Sequence, residues 1–370
     1  MAGLLLAALG CSPSGSTGEA ASSPPTAATS QPSAGTGTPA ATTSPSLTPP
    51  PQSPTPTTSR TPSATPRPKL PPKTKPSPKP DPISVQALIE RDYDGRDLKV
   101  GRLLTDAGPY KRYLVSYRSE DLRISGVMNV PDGKGPHPVI VLAHGYIDPD
   151  VYQPGQGMRR EQDYLARRGY VVLHVDYRGH ATSDNDKNVD YELRLPYAVD
   201  LVNAVLAVKK SRLSYLDGDR VGLFGRSMGG NVTLNALVAQ PGLVDAAVVY
   251  ASTSSLAADN WKTFYNNDGD RAPVNRRIER TYGLPDDSPK FWRAASPRSA
   301  FDRITEPIQL HHGVRDDTCP IEWSEETVRA LRKAGKDAEL FRYPGEGHTF
   351  YAQWTRSMKR TEKFFDQQLT

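Results

Sequence analysis

The chain has 370 residues, a formal net charge of +5 and 36% hydrophobic residues. Residues 1 to 80 hold 19 of the 35 prolines and are otherwise mostly Ser, Thr, Ala and Gly, with six basic residues and the single acid Glu19. The other 290 residues balance 40 basic against 40 acidic side chains, which gives no reason to expect nucleic-acid binding by the domain and leaves enough chain for one large domain with a sizeable core.

The chain begins MAGLLLAALGC. The apolar run Leu4 to Leu9 is too short to span a bilayer, and small residues precede Cys11. This resembles a bacterial lipobox, which implies lipid on Cys11 and a surface-anchored lipoprotein outside the membrane; an ordinary cleaved signal and a secreted protein are the alternative. No Lys or Arg precedes the run, and position 8 is Ala where that pattern prefers Leu. Residues 12 to 80 lack the apolar content to offset ordering entropy and read as a disordered linker. Its prolines keep it extended, with a reach on the order of 100 to 200 Å.

The domain, residues 81 to 370, opens on a short helix at Ile83 to Glu90. Arg112 to Arg118 and Leu122 to Val130 alternate apolar and polar residues around Ser-Glu-Asp, the pattern of an antiparallel hairpin. Val139 to Ala143 is a continuous apolar run, a strand buried on both faces, and ends in His144-Gly145-Tyr146. A helix near Met158 to Arg168, a strand Tyr170 to Val175, the loop Asp176 to His180 and a helix Pro196 to Lys210 follow.

Next comes VGLFGRSMGG, residues 221 to 230. Strand, Gly-x-Ser-x-Gly and helix in that order are a nucleophile elbow, with Ser227 at the tip. The turn is so sharp that its flanking positions exclude side chains, and the helix aims its first amides at the same point. Those amides, Met228 first, suit a developing oxyanion. Further strands are expected at Asp245 to Tyr250, Pro307 to Leu310 and Ala338 to Tyr343, with helices at Glu325 to Ala334 and Gln353 to Gln367. Alternating strands and helices from Val139 onward predict an α/β fold with a doubly wound, mainly parallel sheet.

HGY at 144 to 146, DYRG at 176 to 179, GRSMGG at 225 to 230, ASPRSAFDRITEPI at 295 to 308, HHGVRDDTCP at 311 to 320 and GEGH at 345 to 348 together resemble an α/β-hydrolase, and within that fold the catalytic domain of the prolyl oligopeptidase family. The resemblance covers about Arg112 to Leu369. It implies a triad in the chain order Ser, Asp, His. Of seven histidines only His348 follows the acidic loop after Ile308 to Leu310. The family's Gly-x-x-Asp pattern falls on Gly313 to Asp316, making Asp316 the expected acid and leaving Asp317 to solvent or to cap the next helix. The HGY match assigns the second oxyanion donor to the Tyr146 N–H. His144 and Arg178 are expected to brace loops by hydrogen bonds. Cys319 reads as a small buried apolar residue, not a partner for Cys11.

Residues 252 to 293 form a long excursion at the position where this fold carries a lid. Its Trp261, Phe264, Tyr265, Tyr282, Phe291 and Trp292 either line a substrate pocket or make the lid's own small core. Nothing has metal-ligand spacing and no cofactor loop is evident. The expected activity is a serine-type peptidase acting on small peptides. About 30 residues precede the hairpin, where peptide-cleaving members carry a β-propeller. That difference favours a carboxylesterase on small esters as the alternative. A non-catalytic surface binding protein is the reading from another class.

Overall fold

The computed structural model describes residues 79–265 and 271–370. The apolar start, Cys11 and almost all of the proline-rich stretch lie outside the described residues.

Among the described residues nine strands form one sheet, in the order β1-β2-β3-β5-β4-β6-β7-β8-β9. The first three, β1 (Arg96–Asp106), β2 (Tyr110–Ser119) and β3 (Leu122–Pro131), are an antiparallel meander, and β3 pairs antiparallel with β5 (Val171–Val175). From β5 the sheet runs parallel through β4 (His137–Ala143), β6 (Leu216–Arg226), β7 (Ala246–Tyr250), β8 (Ile308–Gly313) and β9 (Ala338–Tyr343). Val139 to Ala143 and Val171 to Val175 are buried at every position, as strands covered on both faces must be.

The covering helices stand on both faces. One face carries α1 (Val85–Ile89), α3 (Pro196–Lys209), α4 (Met228–Ala239) and α8 (Ile321–Lys333); the other carries α2 (Arg159–Ala166) and α9 (Trp354–Gln368). Helix α3 starts with Pro196 at its first turn, where a missing N–H costs nothing. Helix α9 buries Ser357, Met358, Thr361 and Phe365 on one stripe and turns its basic residues outward.

Several elements differ from the sequence reading, among them β6, which starts at Leu216 and not Val221, and a 3-10 helix Pro297–Arg303 that the sequence reading lacks. Strand β1 was not foreseen: it is an edge strand with most of its residues exposed, so no period-two pattern marks it. Helix α8 begins four residues earlier than expected, directly after Pro320.

Among its described residues the excursion after β7 holds three short helices, α5 (Ala257–Phe264), α6 (Ala272–Tyr282) and α7 (Pro289–Ala294). Trp261, Ile278 and Trp292 are buried together as a separate small core. The Tyr282 and Phe291 rings stack beside it at 4.1 Å.

Candidate active site

Three strand ends meet at the site. Strand β6 delivers Ser227, whose backbone is held at φ 57° and ψ −125°, a conformation costly for a residue with a side chain. Its N–H donates to the Tyr250 carbonyl at 2.9 Å and its carbonyl accepts from Gly230 N–H at 2.9 Å, so the surroundings over-determine the turn. The elbow glycines are sterically required. A Cβ on Gly225 would lie 2.2 Å from the Gly229 oxygen, and one on Gly229 only 1.9 Å from the Ala143 oxygen.

The loop after β9 brings His348, and the loop after β8 brings Asp316. His348 Nδ1 lies 2.9 Å from Asp316 Oδ2 and 3.1 Å from Oδ1. A carboxylate only accepts, so Nδ1 carries the proton and donates. That leaves Nε2 to accept from the Ser227 hydroxyl, 3.0 Å away. The histidine loop is tied down from three sides. Arg226 Nη2 donates to the His348 carbonyl at 3.0 Å. The buried Glu346 carboxylate accepts from the Tyr351 and Gln353 amides. Gly313 passes so close to the loop that a Cβ there would sit 2.4 Å from the Gly347 oxygen.

Asp316 is buried. Burial alone would push its carboxyl up, but hydrogen bonds from His312, His348 and the Cys319 amide outweigh that and hold it well below the usual carboxylate range. Asp317 is exposed, and the N-cap position of the next helix is Pro320, with no side-chain capping bond. Cys319 is a free, buried thiol, which burial and the Asp316 charge push up to about 12. It is inert packing beside Asp316.

The Met228 amide opens α4, and neither it nor the Tyr146 amide makes a loop or turn hydrogen bond among the described residues. Gly145 lies against Ser227: a Cβ there would be 3.5 Å from Ser227 Oγ. The 144–146 loop therefore borders the nucleophile position. His144 holds this loop by stacking more than by hydrogen bonds. Its ring stacks on Tyr152 at 4.8 Å and His174 at 5.3 Å, and its one ring hydrogen bond among the described residues runs to the Gly145 carbonyl at 2.6 Å. Burial keeps it neutral, well below the usual histidine range. Arg178 does brace loops, pairing with Asp200 at 2.8 Å, Asp186 at 2.9 Å and Glu120 at 3.3 Å.

Ser227 and His348 open onto a cavity of about 460 Å³. The excursion contributes Phe264, Tyr265 and Arg271, and the turn before α3 contributes Leu193 and Arg194. Both residues of that turn have positive φ, 50° and 61°. The guanidiniums of Arg194 and Arg271 lie over the Tyr146 ring at 4.7 and 4.8 Å. The excursion's aromatics thus divide: Phe264 and Tyr265 face the cavity, whereas Trp261 and Trp292 make a core. Arg194 and His312 were not singled out from sequence, because each takes its place from tertiary contacts and neither stands in a spacing that signals chemistry. Among the described residues no group of histidines, cysteines and carboxylates could hold a metal ion.

The mainly parallel sheet, the elbow and the flanking helices define an α/β-hydrolase. The sequence pattern of the prolyl oligopeptidase family matches residues 156–370, and the chain belongs to that family of hydrolases. It is 29% identical over 275 residues to "Uncharacterized peptidase YuxL" of Bacillus subtilis (strain 168), an alignment covering 69% of this chain and 39% of that one. It is 26% identical to dipeptidyl aminopeptidase BIII of Pseudoxanthomonas mexicana, over 64% of this chain and 33% of that one. The chain thus spans well under two thirds of the length of these two relatives. Among solved structures, the acylaminoacyl peptidase of Pyrococcus horikoshii matches at TM-score 0.54 and 22% identity, covering 70% of this chain and 42% of that one. The acetyl xylan esterase of Paenibacillus sp. R4 matches at TM-score 0.58 and 17% identity, covering 77% of this chain and 92% of that one. These two likenesses bear on fold alone.

Proposed function

We propose that the protein is a serine hydrolase working by acyl transfer. The observation that carries this reading is the unbroken line from Asp316 through His348 to the Ser227 hydroxyl, with each hydrogen bond between 2.9 and 3.1 Å. Ser227 Oγ attacks a carbonyl carbon while its proton passes to His348 Nε2. Asp316 keeps the ring in the reactive tautomer and stabilises the imidazolium. The Met228 and Tyr146 amides hold the oxyanion. His348 then protonates the leaving group, and water, deprotonated by the same nitrogen, releases the acyl group and restores Ser227.

Family membership favours a peptidase of the prolyl oligopeptidase type on small peptides. A second reading, a carboxylesterase on small esters, is favoured by the cavity lining. Among the described residues it contains no carboxylate to hold a substrate amine. Comparing aryl esters with aminoacyl and acyl-peptide substrates separates the two. Ser227→Ala tests the mechanism itself: hydrolysis falls by about 10³-fold or more, and an unchanged rate refutes it.

The same proposal extends to organisation and place. Residues 81–370 form the catalytic domain with 252–293 as a lid, residues 12–80 are a tether, and lipid on Cys11 anchors the chain outside a bacterial membrane. The sequence of the first eighty residues supports this. Cys11→Ser then moves the protein from the membrane fraction to the soluble one, while high salt does not, because screening releases charge and not lipid. A processed Cys11→Ser protein still in the membrane fraction refutes the anchor.

A further inference from the structure

The Asp316 carboxylate has two imidazoles on it, and the proposed chemistry uses only one. Its Oδ1 accepts from the Thr318 and Cys319 amides at 2.9 and 2.8 Å. Its Oδ2 faces His348 Nδ1 at 2.9 Å and His312 Nε2 at 3.1 Å. His312 is fully buried. Its Nε2 also lies 2.8 Å from the Cys319 carbonyl. Carbonyl and carboxylate can only accept, so His312 Nε2 carries a proton; it donates to the Cys319 carbonyl, and Asp316 Oδ2 lies 3.1 Å from the same nitrogen. At the other end of the ring, Nδ1 lies 2.6 Å from the hydroxyl of Ser324, itself buried in α8. The neighbouring His311 cannot take this place. Strand β8 turns it to the opposite face, against Tyr343 and Gln309.

We infer that His312 is a positioning residue for the reaction: it fixes the rotation of the Asp316 carboxylate so that Oδ2 stays on His348 Nδ1. The inference rests on the reading of Ser227, His348 and Asp316 as the triad. The two amides pin Oδ1 but leave the carboxylate a soft torsion about its last bond. A second N–H group packed 3.1 Å from Oδ2 narrows that freedom. It also places a positive N–H dipole beside a buried charged oxygen that has only His348 next to it otherwise, where the low dielectric strengthens the attraction. His312 touches no reacting atom; it acts through Asp316, and Ser324 and the Cys319 carbonyl hold it in register.

The test is a double-mutant cycle on the full chain, with 4-nitrophenyl butyrate as the ester probe. His312→Phe keeps a flat ring and removes the donor; His312→Gln keeps a donor. We expect His312→Phe to lower kcat on the order of 10- to 100-fold with little change in KM, and His312→Gln to recover most of that loss. In an Asp316→Asn background the same His312→Phe change has almost no further effect, because the group it acts through is already gone. Ser324→Ala, a milder change in case the phenylalanine variant does not fold, gives a smaller loss that also vanishes in that background. Proton NMR supplies a readout that general destabilisation does not move. The far-downfield signal of the proton between His348 Nδ1 and Asp316 persists in His312→Gln and is shifted or lost in His312→Phe at temperatures where both are folded. Losses that multiply independently in the double variant, or a downfield signal unmoved by His312→Phe, overturn the inference. Failure of the wild-type protein to hydrolyse any ester or peptide, or of a fluorophosphonate to label Ser227, refutes instead the triad reading, while the NMR comparison still decides the contact between His312 and Asp316.

Discussion

The cavity beside Ser227 has two walls built differently. One is the end of the parallel sheet, where β6 and the loops after β4, β8 and β9 supply Ser227, the 144–146 loop, Asp316 and His348. Its geometry is enforced by contacts at the steric limit: Gly229 against Ala143, Gly313 against Gly347, and the Ser227 backbone at positive φ. The other wall is the 252–293 excursion, three short helices around Trp261, Ile278 and Trp292. Arg271 and Lys262 add partly exposed ion pairs to Asp190 and Asp286, worth little each. The contrast separates two jobs. The sheet wall fixes Ser227, His348 and Asp316 against a large shared core. The excursion lines the cavity and stands on a core of its own.

The largest effect is expected on the sheet wall. Asp316→Asn keeps the shape but accepts at one oxygen only and no longer stabilises an imidazolium, and kcat falls by about 10⁴-fold. The same variant has a signature in stability. The folded Asp316 carboxyl titrates below its unfolded value of about 3.9, so its contribution is present above that pH and fades as pH falls through the folded value. Chemical denaturation should show a stability gap between wild type and Asp316→Asn at pH 7 that narrows below about pH 4. A gap constant with pH contradicts the charged, hydrogen-bonded state assigned to Asp316.

A middle-sized effect tests the independence of the excursion. Trp292 is buried, donates to the Gly283 carbonyl at 3.1 Å and packs on Trp261 at 4.9 Å. Trp292→Ala removes about 3 to 5 kcal/mol of local packing. Hydrogen exchange should then quicken across α5 to α7 while the amides of β4, β6 and β7 keep their protection. Loss of protection in the sheet as well shows that the two walls form one cooperative unit. The smallest effect comes from a cavity side chain. Phe264 is only partly covered and meets Trp323 edge-on at 5.9 Å. Phe264→Ala should raise KM a few-fold for bulky acyl groups, leave KM for acetyl esters nearly unchanged, and shift thermal stability by less than about 1 kcal/mol.

The same division governs what the sequence discloses. Strands β4, β5 and β7 are legible because a strand covered on both faces reads as a near-continuous apolar run, with His174 the one polar residue inside β5. The elbow is legible because its glycines are a steric necessity written into five residues. Strand β1 is not, since an exposed edge obeys no pattern. His312 shows the opposite limit. The run HHGVRDD places two histidines before two aspartates. Only the facing of β8 decides that His312 turns to Asp316 while His311 packs on Tyr343. In the excursion the aromatic residues announce a small core or a pocket. The choice between them falls differently for Trp292 and for Phe264, because helix ends and crossings, not composition, decide which ring points inward.

The central claim is that the sheet wall makes Ser227 a nucleophile. A fluorophosphonate probe followed by mass-spectrometric peptide mapping tests it in one step, without knowledge of the natural substrate. The account predicts a single covalent adduct on Ser227, formed in the folded protein, absent after denaturation and absent from Ser227→Ala. No adduct, or an adduct on another serine that Ser227→Ala leaves unchanged, would contradict it.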